Sequence, residues 1–209
     1  MKNGKLQIGL IGIGGIANQK HMPSLSQMKD LCELVAFCDI IKERAEAGAK
    51  EFGAPGAKVY TDYKELLADD SIDVVHVLTP NVAHAQIVVD AFAAGKHVLC
   101  EKPIASTLED GRRFYHLVKE SSCKVLVAHI LRHNRSYQTI ARLIREGAVG
   151  RLRLMRMVQN HHALDWPRYQ RLMEDCPPIV DCGVHYLDVM QWFADSPVVE
   201  VGGMSCRLD

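Results

Sequence analysis

Residues 8–17, Ile8-Gly9-Leu10-Ile11-Gly12-Ile13-Gly14-Gly15-Ile16-Ala17, leave few folds open to this chain. A short apolar run of strand length passes through clustered glycines into residues able to start a helix. Gly12, Gly14 and Ala17 stand at the G-x-G-x-x-A spacing of a dinucleotide loop. There the first glycine makes the tight turn, the second admits a pyrophosphate to the backbone, and the small third residue lets helix and strand pack. Gly15 and Ile16 then open the helix, whose unpaired N–H groups face the phosphates. Glycine loops also join strands to helices in proteins that bind no nucleotide, so this loop needs support from elsewhere.

Asp39 supplies it. The next strand-like run, residues 33–38, ends in this carboxylate, 25 residues beyond Gly14. An acid at the end of the second strand, roughly 20 residues after the loop, is the expected partner of an adenosine ribose. Ile40 follows it, with no basic residue immediately beside the acid to receive a further phosphate. NAD is therefore expected rather than NADP, although Lys42 and Arg44 stand close by.

Strand-like and helix-like segments then alternate. Residues 16–28 read as a helix disturbed near Pro23, which has no amide hydrogen to donate. Lys42 to Phe52 is a second helix, residues 72–78 form a buried strand closed by Thr79-Pro80-Asn81, and Val82 to Ala94 is a helix. His97 to Cys100 is a strand that delivers Glu101-Lys102-Pro103, followed by a helix from Leu108 to Glu120 and a strand from Lys124 to Ala128. Such alternation implies βαβ units and a mostly parallel sheet, with ligands beyond the carboxyl ends of the strands. Thr79 to Asn81 and Glu101 to Pro103 both fall on that edge.

Near residue 130 the pattern changes. Arg151 to Val158 alternates charged and apolar residues, the period of a half-buried strand. Val198 to Met204 reads as another, and Asp181 to Phe193 as a helix between them. Residues 1–130 are expected to form a dinucleotide-binding domain, and 131–209 the start of a second α/β domain with an open, largely antiparallel sheet. Two strands have little stability alone, so the chain is expected to be part of a longer protein.

Lys and Arg total 25 and so do Asp and Glu, so the formal net charge is zero and no nucleic-acid partner is indicated. Arg142 and Arg145 fit the solvated face of a helix. No apolar run approaches the ~18 residues of a membrane span, and the first strand begins too early for a signal peptide. Seven dispersed cysteines with no C-x-x-C pair suit buried thiols in a reducing, cytoplasmic setting.

Lys102, at a strand's carboxyl end, could stabilise negative charge on a substrate oxygen, or be a surface lysine. Asp181 and His185 share a face if their segment is one helix, and His185 could take a proton near neutral pH. Asp188 faces nearly the same way, but these three lack a fourth ligand, and no metal is expected. His84 is a candidate cofactor neighbour. His76 reads as a hydrogen-bonded core residue, His161 and His162 with Trp166 as an exposed loop or pocket wall, and His21 has no assigned role.

In order, Gly12-x-Gly14-x-x-Ala17, Asp39, Thr79-Pro80-Asn81-x-x-His84, Glu101-Lys102-Pro103, Gly147-x-x-Gly150 and Asp181-x-Gly183-x-His185-x-x-Asp188 resemble the Gfo/Idh/MocA family of NAD(P)-dependent oxidoreductases. The resemblance implies a Rossmann domain followed by a largely antiparallel second domain that mediates homodimer or homotetramer assembly. It implies hydride transfer between nicotinamide and a secondary alcohol of a sugar, cyclitol or polyol. Lys102 would be the active-site lysine, Asp181 the carboxylate on substrate and His185 the proton acceptor. Gly12, Gly14, Gly15, Ile16, Asp39, Thr79, Pro80, Asn81, His84, Glu101 and Lys102 would line the cofactor. His133 and Arg135 depart from the aromatic and proline common in the family, and Pro177-Pro178 from its glycine pair. An NAD-dependent glycosidase working through transient oxidation, a non-catalytic NAD sensor and an unrelated Rossmann methyltransferase are the alternative readings.

Overall fold

The computed structural model describes residues 2, 4–158, 176 and 178–204. They fall into two compact units, one holding residues up to 128 with Cys176, the other holding 129–158 and 178–204.

The first unit is built on six strands: β1 (Leu6–Ile11), β2 (Cys32–Cys38), β3 (Lys58–Tyr60), β4 (Val74–Val77), β5 (His97–Cys100) and β6 (Val125–Val127). Their order is β3-β2-β1-β4-β5-β6, and every neighbouring pair is parallel. Helices connect them: α1 (Met22–Leu25), α2 (Lys42–Phe52), α3 (Tyr63–Leu67), α4 (Asn81–Ala93) and α5 (Leu108–Glu120). The apolar runs are nearly continuous because both faces of the sheet are covered. Ile8, Leu10 and Phe37 pack with Ile13 and Met22 in one core cluster, while Ile11, Val75, Val77 and Val98 pack with Leu66, Val88 and Phe92 in another. Leu10, Phe37 and Val75 have no exposed surface, and burying side chains of this kind contributes about 1.5–3 kcal/mol each. The order in which strands are added reverses between β1 and β4, and in open α/β sheets the ligand crevice lies at that switch.

The disturbance expected near Pro23 takes a definite form. Residues Ala17–His21 make a π-turn immediately before α1, and the Met22 N–H donates to the Ala17 carbonyl, five residues back. Proline cannot donate, and its ring crowds the carbonyl four residues earlier in a regular α-helix. A wider turn relieves both problems. The regular helix then ends at Leu25, short of residue 28.

The second unit contains a 3₁₀ turn (Ile130–His133), α6 (Arg135–Arg145), α7 (Pro178–Asp181) and α8 (Gly183–Ala194). Ala141, Val189 and Phe193 form its small core, flanked by Leu131, Tyr137, Ile144 and Trp192.

The expected fold class is corrected here. The sheet is mostly parallel, a single six-stranded Rossmann-like array, and no largely antiparallel second sheet exists among the described residues. Neither 151–158 nor 198–204 is a strand. Period-two patterning shows which side chains could share a face, but a strand also needs a neighbour to bond its backbone, and among the described residues neither segment pairs with one. The single helix expected from Asp181 to Phe193 is also divided, since α7 ends at Asp181 and α8 starts at Gly183. His161, His162 and Trp166 lie outside the described residues. No described helix is long and apolar enough to cross a membrane.

Candidate functional site

The glycine turn sits where β1 meets the end of β4. Gly12 has φ +93°, and a Cβ there would stand 2.8 Å from the Leu78 carbonyl carbon and 2.9 Å from both its oxygen and the Thr79 nitrogen. Those are backbone atoms that cannot swing aside, so only glycine fits. The turn is then pinned from three directions. Gly12 N–H donates to the Cys38 carbonyl at 2.8 Å. Ile13 N–H donates to Asp39 Oδ2 at 2.8 Å, while Asp39 Oδ1 accepts from Ile41 N–H at 2.9 Å. Asn18 Nδ2 donates to the carbonyls of Ile13 at 3.0 Å and Gly14 at 2.8 Å. Gly14, by contrast, faces open space, since a Cβ there would meet nothing within 4 Å. Gly15 and Ile16 are exposed.

Two buried side-chain atoms at the end of β4, Thr79 Oγ1 and Asn81 Nδ2, have no hydrogen-bond partner among the described residues. An unmatched buried polar atom costs about 1–3 kcal/mol. Their position at the carboxyl edge beside the switch point suits a polar ligand. A dinucleotide fits this set: open space over Gly14, N–H groups at a helix start, a carboxylate beside the loop and partnerless polar atoms.

Glu101 and Lys102 follow β5. Glu101 Oε1 meets His21 Nε2 at 2.9 Å, and its Oε2 accepts the Lys102 N–H at 3.2 Å. The π-turn delivers His21 to this partner, 80 positions away in sequence. Burial pushes the Glu101 carboxyl up, but the His21 bond and charge, together with the Lys102 N–H and ammonium, outweigh it and hold the group below its ordinary value. His76, on β4, packs its ring edge-to-face on His21 with centroids 5.6 Å apart. Burial, assisted by His21 and opposed by Glu101, pushes the His76 imidazole down to about 3. Its Nδ1 has no partner among the described residues, so the expected hydrogen-bonded core histidine is a neutral packed one with an unmatched nitrogen. The Lys102–Pro103 bond is cis. His84 is completely buried, with no surface for a cofactor to touch.

In the second unit, Asp181 closes α7 and His185 lies in the first turn of α8. The shared-face argument for this pair needs one unbroken helix, and Cys182 interrupts it. His185 packs edge-to-face on His129, centroids 6.3 Å apart. Asp188, one turn on, is held by Arg132.

Thus Gly12, Gly14, Asp39, Thr79, Asn81, Glu101 and Lys102 share the carboxyl edge of one sheet, while Asp181 and His185 belong to the other unit. Sequence reasoning missed Asn18, whose only signal was a short amide one turn after Gly14, and His21, which carried none.

A parallel sheet in the order 3-2-1-4-5-6 with a glycine turn at its switch point defines a dinucleotide-binding Rossmann domain. Comparison with known families carries this further. Residues 6–129 match the oxidoreductase family with an NAD-binding Rossmann fold, and residues 137–209 match the GFO/IDH/MocA C-terminal domain. The chain belongs to the Gfo/Idh/MocA oxidoreductase family. Inositol 2-dehydrogenase of Salmonella typhimurium is 32% identical over 188 residues, covering 90% of this chain and 54% of the relative. Levoglucosan dehydrogenase of Pseudarthrobacter phenanthrenivorans is 30% identical over 201 residues, covering 90% and 50%. The chain spans about half the length of these relatives. Among solved structures, scyllo-inositol dehydrogenase of Lactobacillus casei with bound NAD(H) and scyllo-inositol superposes with a TM-score of 0.82 at 23% identity, covering 91% of this chain and 56% of the other, a likeness of fold.

Proposed function

We propose that this chain carries the cofactor-binding domain and the first part of the substrate domain of an NAD-dependent dehydrogenase acting on a secondary alcohol of a sugar, cyclitol or polyol. The observation that carries the reading is the carboxyl edge of the first sheet, where the glycine turn, Asp39 and the partnerless Thr79 and Asn81 atoms meet. The cofactor, when bound, supplies the hydride acceptor. Gly14, Gly15 and Ile16 would take the pyrophosphate. Each Asp39 oxygen already accepts one N–H and keeps a second lone pair for a ribose hydroxyl. Ile40 beside it is 89% exposed and offers no cation to a 2′-phosphate, which favours NAD over NADP.

Lys102 would hold negative charge developing on the substrate oxygen, His185 would accept the hydroxyl proton, and Asp181 would orient that hydroxyl. Relatives named for inositol and levoglucosan point to a polyhydroxylated ring as substrate. Cys32, Cys38, Cys100 and Cys123 are free thiols, which supports a reducing, cytoplasmic setting.

A panel of cyclitols, sugars and polyols, followed by NADH absorbance, tests the reading. Lys102→Ala and His185→Ala should each cut turnover at least about a hundredfold while NADH affinity stays near wild type. Full turnover in both variants would remove these residues from the chemistry.

A further inference from the structure

We propose that His84 is doubly protonated and acts as a positioning residue, a buried imidazolium that ties the turn after β4 to the turn after β5. The ring has 0% exposure. Its Nδ1 lies 2.8 Å from the Pro103 carbonyl oxygen and its Nε2 lies 2.8 Å from the Thr79 carbonyl oxygen. A carbonyl oxygen can only accept, so both nitrogens must donate. Neutral imidazole has a single N–H. Its bare nitrogen would confront a carbonyl lone pair to lone pair, at hydrogen-bond distance and out of reach of water.

Two effects oppose the charge. Burial removes it from water, and the N-terminal end of α4, where the ring sits, repels a cation. Two short bonds from a charged donor answer them, each roughly twice as strong as its neutral equivalent. Glu101, Asp90 and Arg113, on the elements packed around the ring, have partners of their own. Glu101 is bonded to His21, Asp90 on α4 accepts from Tyr63 and Gln86, and Arg113 on α5 donates to Gln86. Lys102 shares the turn that supplies the Pro103 carbonyl. Among the described residues the two carbonyls are the ring's hydrogen-bond partners.

The consequence is positional. One carbonyl belongs to Thr79, whose Oγ1 is partnerless at the site, and the other belongs to the residue after Lys102. His84 therefore sets the spacing between two parts of the cofactor edge, its two carbonyls lying 24 residues apart in sequence. It acts through them, without meeting the cofactor. This last step rests on the dinucleotide reading above.

The test is ¹⁵N NMR of the full chain labelled at histidine, with the His84 ring assigned through bonds at neutral pH. The expected spectrum shows a hydrogen on both ring nitrogens. A bare nitrogen overturns the proposal, whatever the protein binds. NADH titration followed by fluorescence supplies the second arm. His84→Gln can bridge at most one carbonyl, and should weaken NADH binding about tenfold with the circular dichroism spectrum unchanged. Wild-type affinity in that variant overturns the positioning role. If the wild-type chain takes no NADH, the cofactor reading falls and the positioning role falls with it, while the spectrum still decides the proton count.

Discussion

Arg132 grips Asp188 with two bonds, Nε donating to Oδ2 at 2.8 Å and Nη2 to Oδ1 at 2.9 Å. The same guanidinium lies over the Trp192 ring, 5.4 Å from its centroid. Asp188 ends the Asp181-x-Gly183-x-His185-x-x-Asp188 motif, so the grip fixes the rotation of α8 one turn from His185.

A lysine cannot reproduce a planar fork that both pairs with a carboxylate and stacks on indole. The arginine side chain is 43% exposed and its partner 16%, so solvent screening reduces what the pair contributes. Arg132→Lys and Asp188→Asn should each destabilise the chain by about 0.5–1 kcal/mol. The double variant should cost no more than either alone, as read from a urea double-mutant cycle. Strictly additive losses would show that the two side chains are not coupled.

Asp69 gives the acid limb of the stability curve a defined origin. Its Oδ2 accepts from Lys58 Nζ and Tyr60 OH, both at 2.8 Å, and its Oδ1 accepts from Ser71 N at 3.0 Å and Ser71 Oγ at 2.7 Å. Burial pushes this carboxyl up, but the bonds from Lys58, Ser71 and Tyr60 outweigh it and hold the group well below its ordinary value. A carboxyl depressed in the folded state stabilises fully above its unfolded value of ~3.9, and that stabilisation fades as the pH falls below it. Asp69→Asn should therefore cost about 1–3 kcal/mol at neutral pH. In denaturation curves at successive pH values, the gap to wild type should narrow below about pH 4. A gap that stays constant through the acid limb would mean that the charge is not its source.

What could be read from the residues alone was local. A short β-branched run such as 74–77 announces a strand and the stretch from Leu108 to Glu120 announces α5, whose Thr107 cap on the Asp110 N–H only the structure shows. The strand-helix alternation then leaves little choice of topology. Residues 151–158 show the limit, because alternation states a preference for a face and says nothing about whether a partner strand is present. His21 with Glu101, and His84 with Pro103, were invisible for a related reason. Each joins elements that only the folded sheet brings together, and no local pattern pairs the two ends. Asp39 was legible as an acid at the right place. That it also braces the loop, through Ile13, follows from a turn geometry that residue types do not reveal.

Gly12 and Gly14, two residues apart in one loop, should separate folding from binding. Alanine at Gly12 must adopt φ +93° and drive its Cβ to 2.8–2.9 Å from backbone atoms of Leu78 and Thr79. The β1–β4 junction has to open, and Gly12→Ala should lose several kcal/mol of stability, about 2–4 on the usual scale of such conflicts. Gly14→Ala meets nothing within 4 Å and has no left-handed backbone to strain, so its denaturation midpoint should match wild type to within about 0.5 kcal/mol. The space it fills is the one a pyrophosphate needs for close approach to the backbone. NADH affinity should accordingly fall by about tenfold or more in a variant that is otherwise as stable as the parent. A fully stable Gly14→Ala that still binds NADH like wild type would show that the opening over this glycine is not where the phosphates lie, and the dinucleotide reading of the loop would fail on its most direct consequence.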